Sequence, residues 1–425
     1  MLPKSNGVPF PFLLSQIPLS PSFHPLFSLQ EIVTKMSPMI LPEELLVEIL
    51  SWVPVKDLLR FRCVAKWLRA LISDPTFVKL HLLHMSSRNA HILLTFYDKH
   101  YPGDKYSAPR RYCAPCSVHA LLHNPSSTIE GFRPFDINVY RVLGVCNGLV
   151  CLLVSYRYSH SDFDEFWVRF WNPATRVISD DSPRVYLHND RPRRYKRYMF
   201  GFGYDEWSDT YQAVVLDNNK PQNLEVRVHC MGHTGWKSTL TTTCPAFPIL
   251  SQDGASVRGT VNWLALPNSS SDYQWETVTI DDLVIFSYDL KNESYRYLLM
   301  PDGLLEVPHS PPELVVLKGC LCLSHCHGGN HFGFWLMKEF GVEKSWTRFL
   351  NISYDQLHIH GGFLDHPVIL CMSEDDGVVL LENGGHGKFI LYNKRDNTIE
   401  CYGELDKGRF QFLSYDYAQS FVMPY

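Results

Sequence analysis

Two cysteines at two-residue spacing, Cys113 and Cys116, are the first residues in the chain with the makings of chemistry. The spacing is that of half a zinc site or of a redox pair, but no second such pair follows to complete four ligands. Their Pro-rich, polar surroundings read as a solvent-exposed loop. The densest cluster of ligand types is Cys320, Cys322, His325, Cys326 and His327. On a strand, Cys320 and Cys322 share one face and Leu321 and Leu323 the other, as in a strand buried on both sides. The His-Cys-His-Gly-Gly that follows reads as a turn. No regular zinc spacing fits, so small buried thiols are the plainer account. Gly384-Gly385-His386-Gly387-Lys388 resembles a phosphate loop only superficially: Glu382 stands where that loop needs glycine, and Phe389 where it needs Ser or Thr. A hairpin turn between Val378–Leu381 and Phe389–Tyr392 accounts for these glycines. The 19 histidines allow many acid–base pairings on paper without fixing any geometry. The expectation is no catalytic residue, no metal and no cofactor.

One strongly basic run remains: Arg191, Arg193, Arg194, Lys196 and Arg197, within the long segment Ser179–Met199. Its plain reading is a solvated loop. If any loop captures a charged partner it is this one, through bidentate arginine contacts to an acidic or phosphorylated segment. A second long segment, Pro267–Asp282, is acidic and serine-rich, with Asp272, Glu276, Asp281 and Asp282.

The elements that must position these residues are of two kinds. Leu41 to Pro75 is the clearly helical, strongly apolar block. Pro42 suits a first helical position, where its missing amide would be unpaired anyway, and Glu43 and Glu44 suit the positive end of the helix dipole. Leu45, Leu46, Ile49, Leu50 and Val53 recur at helical spacing. Pro54 stops that helix, Asp57 starts a second, and a third carries Phe61, Val64, Ala65, Leu68, Leu71 and Ile72 on one face, with Arg62, Lys66 and Arg69 opposite. Asp74-Pro75 reads as a cap and first residue of a further turn with Phe77 and Leu80. Helices this short rarely close a core of their own. Their surplus apolar surface must meet the rest of the chain or a partner.

After His84 the texture changes to short strands separated by Gly, Asn, Asp and Pro turns. A loose repeat appears, in which a turn feeds an apolar strand: Asn147-Gly148-Leu149, Arg258-Gly259-Thr260 and Lys318-Gly319-Cys320. Repeats of roughly 40–50 residues with several strands each suggest propeller blades, about six or seven of them. A pair of β-sandwiches is the structural competitor.

The 425 residues permit two or three domains, and 45% hydrophobic with 20% charged residues is an ordinary globular balance. A net charge of −5 argues against a protein that coats nucleic acid. The 12 scattered cysteines read as reduced and intracellular, which implies a cytoplasmic or nuclear location. No apolar run approaches a membrane span. Residues 1–36 carry prolines at 3, 9, 11, 18, 21 and 25, which break any helix, and no arginine. They read as a disordered tail.

The helical block, with Leu41-Pro42-x-Glu44-Leu45-Leu46-x-Glu48-Ile49-Leu50, Val53-Pro54-Val55-Lys56-x-Leu58-Leu59-Arg60-Phe61-Arg62-Cys63-Val64 and Asp74-Pro75-x-Phe77, resembles an F-box. One position departs: the family's usual tryptophan directly before Arg69 is replaced by Leu68, with Trp67 one place earlier. Farther on, Cys146-Asn147-Gly148-Leu149, Trp171-Asn172-Pro173-Ala174-Thr175-Arg176, Phe200-Gly201-Phe202-Gly203-Tyr204-Asp205, Gly319-Cys320-Leu321-Cys322-Leu323 and Ser345-Trp346-Thr347 resemble the F-box-associated interaction domain of plant F-box proteins.

The resemblance implies an α+β multidomain chain: a tail over 1–36, an F-box over 37–84, and a large all-β domain over 85–425, kelch-like and propeller-shaped. It implies a substrate-recognition subunit of a Skp–cullin–F-box ubiquitin ligase, not itself an enzyme. Leu41, Pro42, Leu45, Ile49, Leu50, Pro54, Val55, Leu58, Leu59 and Val64 would dock on the Skp-type adaptor, and through it a cullin. The β domain would capture an unidentified target protein. From the residues alone, a propeller-type enzyme with a helical N-terminal segment, or a nucleic-acid-binding β protein using the basic run, are the rival readings. The tail gives the first test. A chain beginning at Met36 should melt at the same temperature as the full chain by scanning calorimetry, and a clear drop would show that the tail packs on the domains.

Overall fold

The computed structural model describes residues 41–425 except 89–90, 99–109, 131–133, 138, 158–161, 189–197, 221–222, 241–248, 252, 268–272, 305, 309, 360–365, 384–387 and 403–409. The tail over 1–36 thus lies outside the described residues. The chain divides into two units, 1–49 and 50–425.

Four helices come first. α1 (Glu43–Ser51) opens with its two glutamates, and α2 (Val55–Phe61) starts directly after Pro54. Sequence periodicity runs the third helix on from Phe61, but the chain leaves helical geometry after α2 and re-enters it as α3 (Lys66–Ile72) from an extended Ala65. α4 (Pro75–Ser87) is longer than the single turn expected. The Asp74 carboxylate accepts from the Thr76 and Phe77 amides, at 2.8 and 3.3 Å, and Pro75 sits where no amide is needed.

The remainder is a six-bladed propeller. β1 (His91–Asp98), β2 (Arg111–Ser117) and β3 (Phe135–Asp136) form the outer part of blade 1, with α5 (Val118–His123) and α6 (Pro125–Glu130) between the last two. Blade 2 holds β4 (Arg141–Cys146), β5 (Leu149–Arg157), β6 (Phe163–Asn172), β7 (Val177–Ile178) and β8 (Val185–His188). Blade 3 holds β9 (Tyr198–Asp205), β10 (Thr210–Lys220), β11 (Asn223–Cys230) and β12 (Lys237–Leu240). Blade 4 holds β13 (Ala255–Val257), β14 (Thr260–Ala265), β15 (Val284–Asp289) and β16 (Ser294–Leu299). Blade 5 holds β17 (Glu313–Leu317), β18 (Cys320–His327), β19 (His331–Met337) and β20 (Trp346–Ser353). Blade 6 holds β21 (Pro367–Met372), β22 (Val378–Asn383), β23 (Phe389–Asn393) and β24 (Thr398–Tyr402). The last strand, β25 (Phe410–Asp416), returns to pair with β1 and completes blade 1.

The turn-and-strand repeat marks the first hairpin of blades 2, 4 and 5. Asn147-Gly148, Arg258-Gly259 and Lys318-Gly319 all have positive φ at both positions, as the tight turn that matches strand twist requires. The β-sandwich alternative is therefore excluded by the blades themselves. One strand escapes the pattern in the sequence: β2 reads as a polar loop but pairs antiparallel with β1.

Six apolar clusters fill the six clefts between neighbouring blades. Leu149, Phe166 and Phe170 of blade 2 meet Phe200, Phe202 and Val215 of blade 3. Trp263, Phe286 and Tyr288 of blade 4 meet Val214 and Val226 of blade 3. Leu321 and Leu323 of β18 face blade 4, while Cys322 and Cys326 face blade 6. This is the two-sided burial that alternation implies. Close approach is built in: a Cβ on Gly201 would stand 2.4 Å from Val261 Cγ1.

In antiparallel blades, connections alternate between two ends. The turns from first to second strand and from third to fourth lie at one end; the connections from second to third, and onward to the next blade, lie at the other. The first end carries mostly short turns, such as Asn147-Gly148 and Lys318-Gly319. Connections at the second end include the described residues 273–283, 300–304 and 354–359. α4 enters β1 at the turn end, and the C-terminal segment leaves β25 there too. At the seam of the ring, Phe412 is 1% exposed between Phe96 and Phe389, with ring centroids 5.5 and 5.4 Å away. Phe412→Ala should cost about 3–5 kcal/mol of unfolding free energy, read as a lowered urea midpoint with little change in slope.

Candidate functional site

The helical module offers its side chains unequally. On α1, Leu45 and Ile49 are 50% and 54% exposed. Among residues 50–425, Pro54 is exposed, Leu59 half-buried and Val64 51% exposed. Leu41 is partly buried and Pro42 exposed. Leu50, Val55 and Leu58, also expected on the docking surface, are buried in the chain by itself. The departure at Trp67/Leu68 also resolves. Leu68 takes the buried place at 3% exposure, and the one-position shift, about 100° of helix rotation, leaves Trp67 40% exposed.

Where α2 ends, the turn through Arg62–Ala65 redirects the chain into α3. The bend opens a cleft of about 550 Å³ lined by Leu59, Arg62, Cys63, Val64, Ala65, Lys66 and Arg69. Its floor is apolar and its rim carries three cations. Such a cleft suits a partner that offers an apolar side chain next to carboxylates.

The second candidate surface is the loop end of the propeller. The basic run Arg191, Arg193, Arg194, Lys196 and Arg197 lies outside the described residues, but its stems do not. Tyr198 Oη donates to the His188 carbonyl at 2.5 Å, which ties the end of β8 to the start of β9. Beside these stems blade 2 exposes Tyr156, Phe163 and Tyr186, at 55%, 44% and 56%. Arg184 lies 4.2 Å over the Trp167 ring and bonds the Glu165 carboxylate at 2.7 Å. Aromatic and arginine side chains of this kind are enriched in protein interfaces. Sequence reasoning does not single out Tyr156, which lies near the end of β5.

The acidic segment is partly committed to its own structure. Asp282 accepts from both the amide and the hydroxyl of Thr279, which holds its carboxyl below the ordinary range. Glu276 and Asp281 are exposed, and Asp272 lies outside the described residues.

The residues of the two cysteine clusters are buried or half-buried on strands. Cys113 and Cys116 stand on β2, not in a solvent-exposed loop, at 0% and 2% exposure. Burial pushes the Cys113 thiol up to about 12 and raises that of Cys116 as well. The histidines read as a turn extend β18 through His327, and the turn follows at Gly328–Asn330. Cys326 lies 2.9 Å from His366 Nδ1 and 2.5 Å from Tyr354 Oη. Among the described residues no three His, Cys, Asp or Glu side chains converge on a metal position. Of the glycine-rich turn, 384–387 lie outside the described residues; the strands flanking it, β22 and β23, are paired antiparallel.

The fold thus defines a β-propeller protein with a short helical module ahead of its first blade. The chain belongs to the family of F-box proteins with an F-box associated β-propeller domain: the model of that propeller domain matches residues 116–423, and the F-box domain model matches residues 38–80. An F-box/kelch-repeat protein of Arabidopsis thaliana is 30% identical over 379 residues, covering 84% of this chain and 88% of the relative. The Arabidopsis F-box protein CPR1 is 23% identical, covering 84% of each.

His325 sets a pH limit on blade 5. It is 7% exposed, and its Nε2 accepts from Trp335 Nε1 at 3.0 Å, so the ring is neutral. Burial, and then the neighbouring His327, push its pKa down to about 4. The unfolded chain takes up this proton near pH 6.5 and the folded chain only near 4. The stability contribution is therefore complete above pH 6.5 and is lost as the pH falls toward 4. Between pH 6.5 and 5 the loss should be about 2 kcal/mol. His325→Gln should flatten the dependence of the denaturation midpoint on pH across that interval, and an unchanged slope would refute the assignment.

Proposed function

We propose that this protein is the target-recognition subunit of a Skp–cullin–F-box ubiquitin ligase. Its helices dock on a Skp-type adaptor, and the loop end of its propeller holds a target protein. The observation that carries the reading is an F-box match directly ahead of a propeller match that fills most of the remaining chain. F-box domains generally bind Skp-type adaptors, and the exposed Leu45, Ile49 and Val64 are the apolar surplus that such docking would cover. The cationic rim of the α2–α3 cleft favours an acidic adaptor segment. The subunit does no bond chemistry itself. It raises the concentration of a target beside the ubiquitin-charged enzyme, in the cytoplasm or nucleus.

Two paired substitutions test the docking. Leu45→Ala with Ile49→Ala, and separately Leu59→Ala with Val64→Ala, should each weaken adaptor binding more than tenfold in titration calorimetry, since apolar truncations at a buried site cost roughly 2–5 kcal/mol. Unchanged affinity in both would overturn the assignment. For the target, proximity labelling should recover fewer proteins when Arg191, Arg193 and Arg194 are all alanine. An equal yield of the same proteins would move recognition to the aromatic surface of blade 2.

A further inference from the structure

The C-terminal segment beyond β25 does something the ring closure does not require. Residues 417–425 cross the turn end of blade 2, and side chains from that blade's motifs hold them there. Asn172 is fully buried and faces two ways. Its Oδ1 accepts from the Ala174 and Thr175 amides at 2.9 and 3.3 Å, which shapes the turn after β6. Its Nδ2 donates to the carbonyls of Ser420 and Val422 at 3.0 and 2.8 Å. Gly148 lets the segment approach: a Cβ there would stand 2.4 Å from the Ala418 carbonyl oxygen and 2.3 Å from Ser420 Oγ.

Held in this way, Phe421 is 3% exposed and presents its ring to His81 of α4, centroids 5.4 Å apart and edge to face. His81 is fully buried, stacks on Phe77, and its Nε2–H donates to the Val53 carbonyl at 3.0 Å, in the turn that leads into α2. A second tie lies beside it. Lys79 of α4 pairs with Asp209 in the turn after β9 at 2.7 Å, and Asp209 also accepts from Tyr204. That pair is more than half exposed, so the buried contact is the stronger restraint.

We infer that residues 417–425 are a clasp that fixes the direction of α2–α4 relative to the propeller, with Asn172 and His81 as its positioning residues. The consequence rests on the proposed docking of α2 and α3: the clasp sets the angle at which the propeller's loop end is held with respect to the adaptor.

The test measures that direction without the adaptor. Spin labels on unnatural amino acids at Arg69, exposed on α3, and Lys344, exposed in the turn before β20, avoid the exposed Cys63 and Cys401. Pulsed dipolar spectroscopy on the otherwise unchanged full chain should give one narrow distance distribution. Asn172→Asp keeps the acceptor that shapes the turn and removes the donor that holds the segment. Phe421→Ala leaves Asn172 intact and removes only the ring on His81. Each should at least double the width of the distribution while the adaptor affinity stays within twofold. A distribution as narrow as the parent's in both variants would overturn the clasp. If both variants broaden it but the parent chain does not bind the adaptor, the docking reading fails and the clasp stands.

Discussion

A propeller ring closes only when its last blade is completed, and here completion comes from β25 pairing with β1. The two strands lie far apart in the chain; Thr95 Oγ1 donates to the Leu413 carbonyl across 318 positions. Such a closure looks expensive, but the entropy of joining chain ends grows only with the logarithm of their separation, by about 0.6 kcal/mol per doubling. Closing over three hundred residues instead of forty therefore costs only about 2 kcal/mol more. Against that stand the clefts on either side of blade 1. Leu94 and Phe412 pack on Leu380 and Phe389 of blade 6, and Leu93 and Cys113 pack on Val150 and Leu152 of blade 2. Without β25 both clefts of blade 1 open at once, so both depend on this one pairing.

That dependence explains what is legible in the amino-acid sequence. Hairpins whose turns demand positive φ announce themselves, which is why Asn147-Gly148, Arg258-Gly259 and Lys318-Gly319 mark three blades by residue type alone. Strands buried on both faces, such as β18, also show as apolar runs. Strands at the outer rim do not. β16, with Tyr295, Arg296 and Tyr297 in sequence, is mostly exposed, and Leu298 alone of its residues is buried. β2 hides behind Pro115 and its two cysteines, buried against neighbouring blades, Cys113 toward blade 2 and Cys116 toward blade 6.

The candidate surfaces are legible to different degrees for the same reason. Periodicity names the apolar residues of the helices but cannot divide inward from outward once three short helices share a core. Leu58 and Leu59 are adjacent and equally apolar, yet only the first is buried. The exposed aromatics of blade 2 carry no signal at all, because Tyr156, Phe163 and Tyr186 come together only through the pairing of β5 and β8 with β6. The basic run is plain in composition, and Tyr198 ties its flanking strands β8 and β9 together.

Asn172 shows how motif and architecture converge. In the sequence it is one residue of Trp-Asn-Pro-Ala-Thr-Arg, and a turn is explanation enough for it. Asparagine is required over aspartate only if the side chain must donate as well as accept, and the donor half is satisfied solely by carbonyls of residues some 250 positions away. The same logic applies to Gly148, whose positive φ other residues such as Asn147 also adopt, but whose missing Cβ is demanded by the chain that crosses it. Both residues therefore encode the path of the C-terminal segment. Turn geometry alone would tolerate several substitutions at each, whereas the crossing segment leaves one residue type at each position.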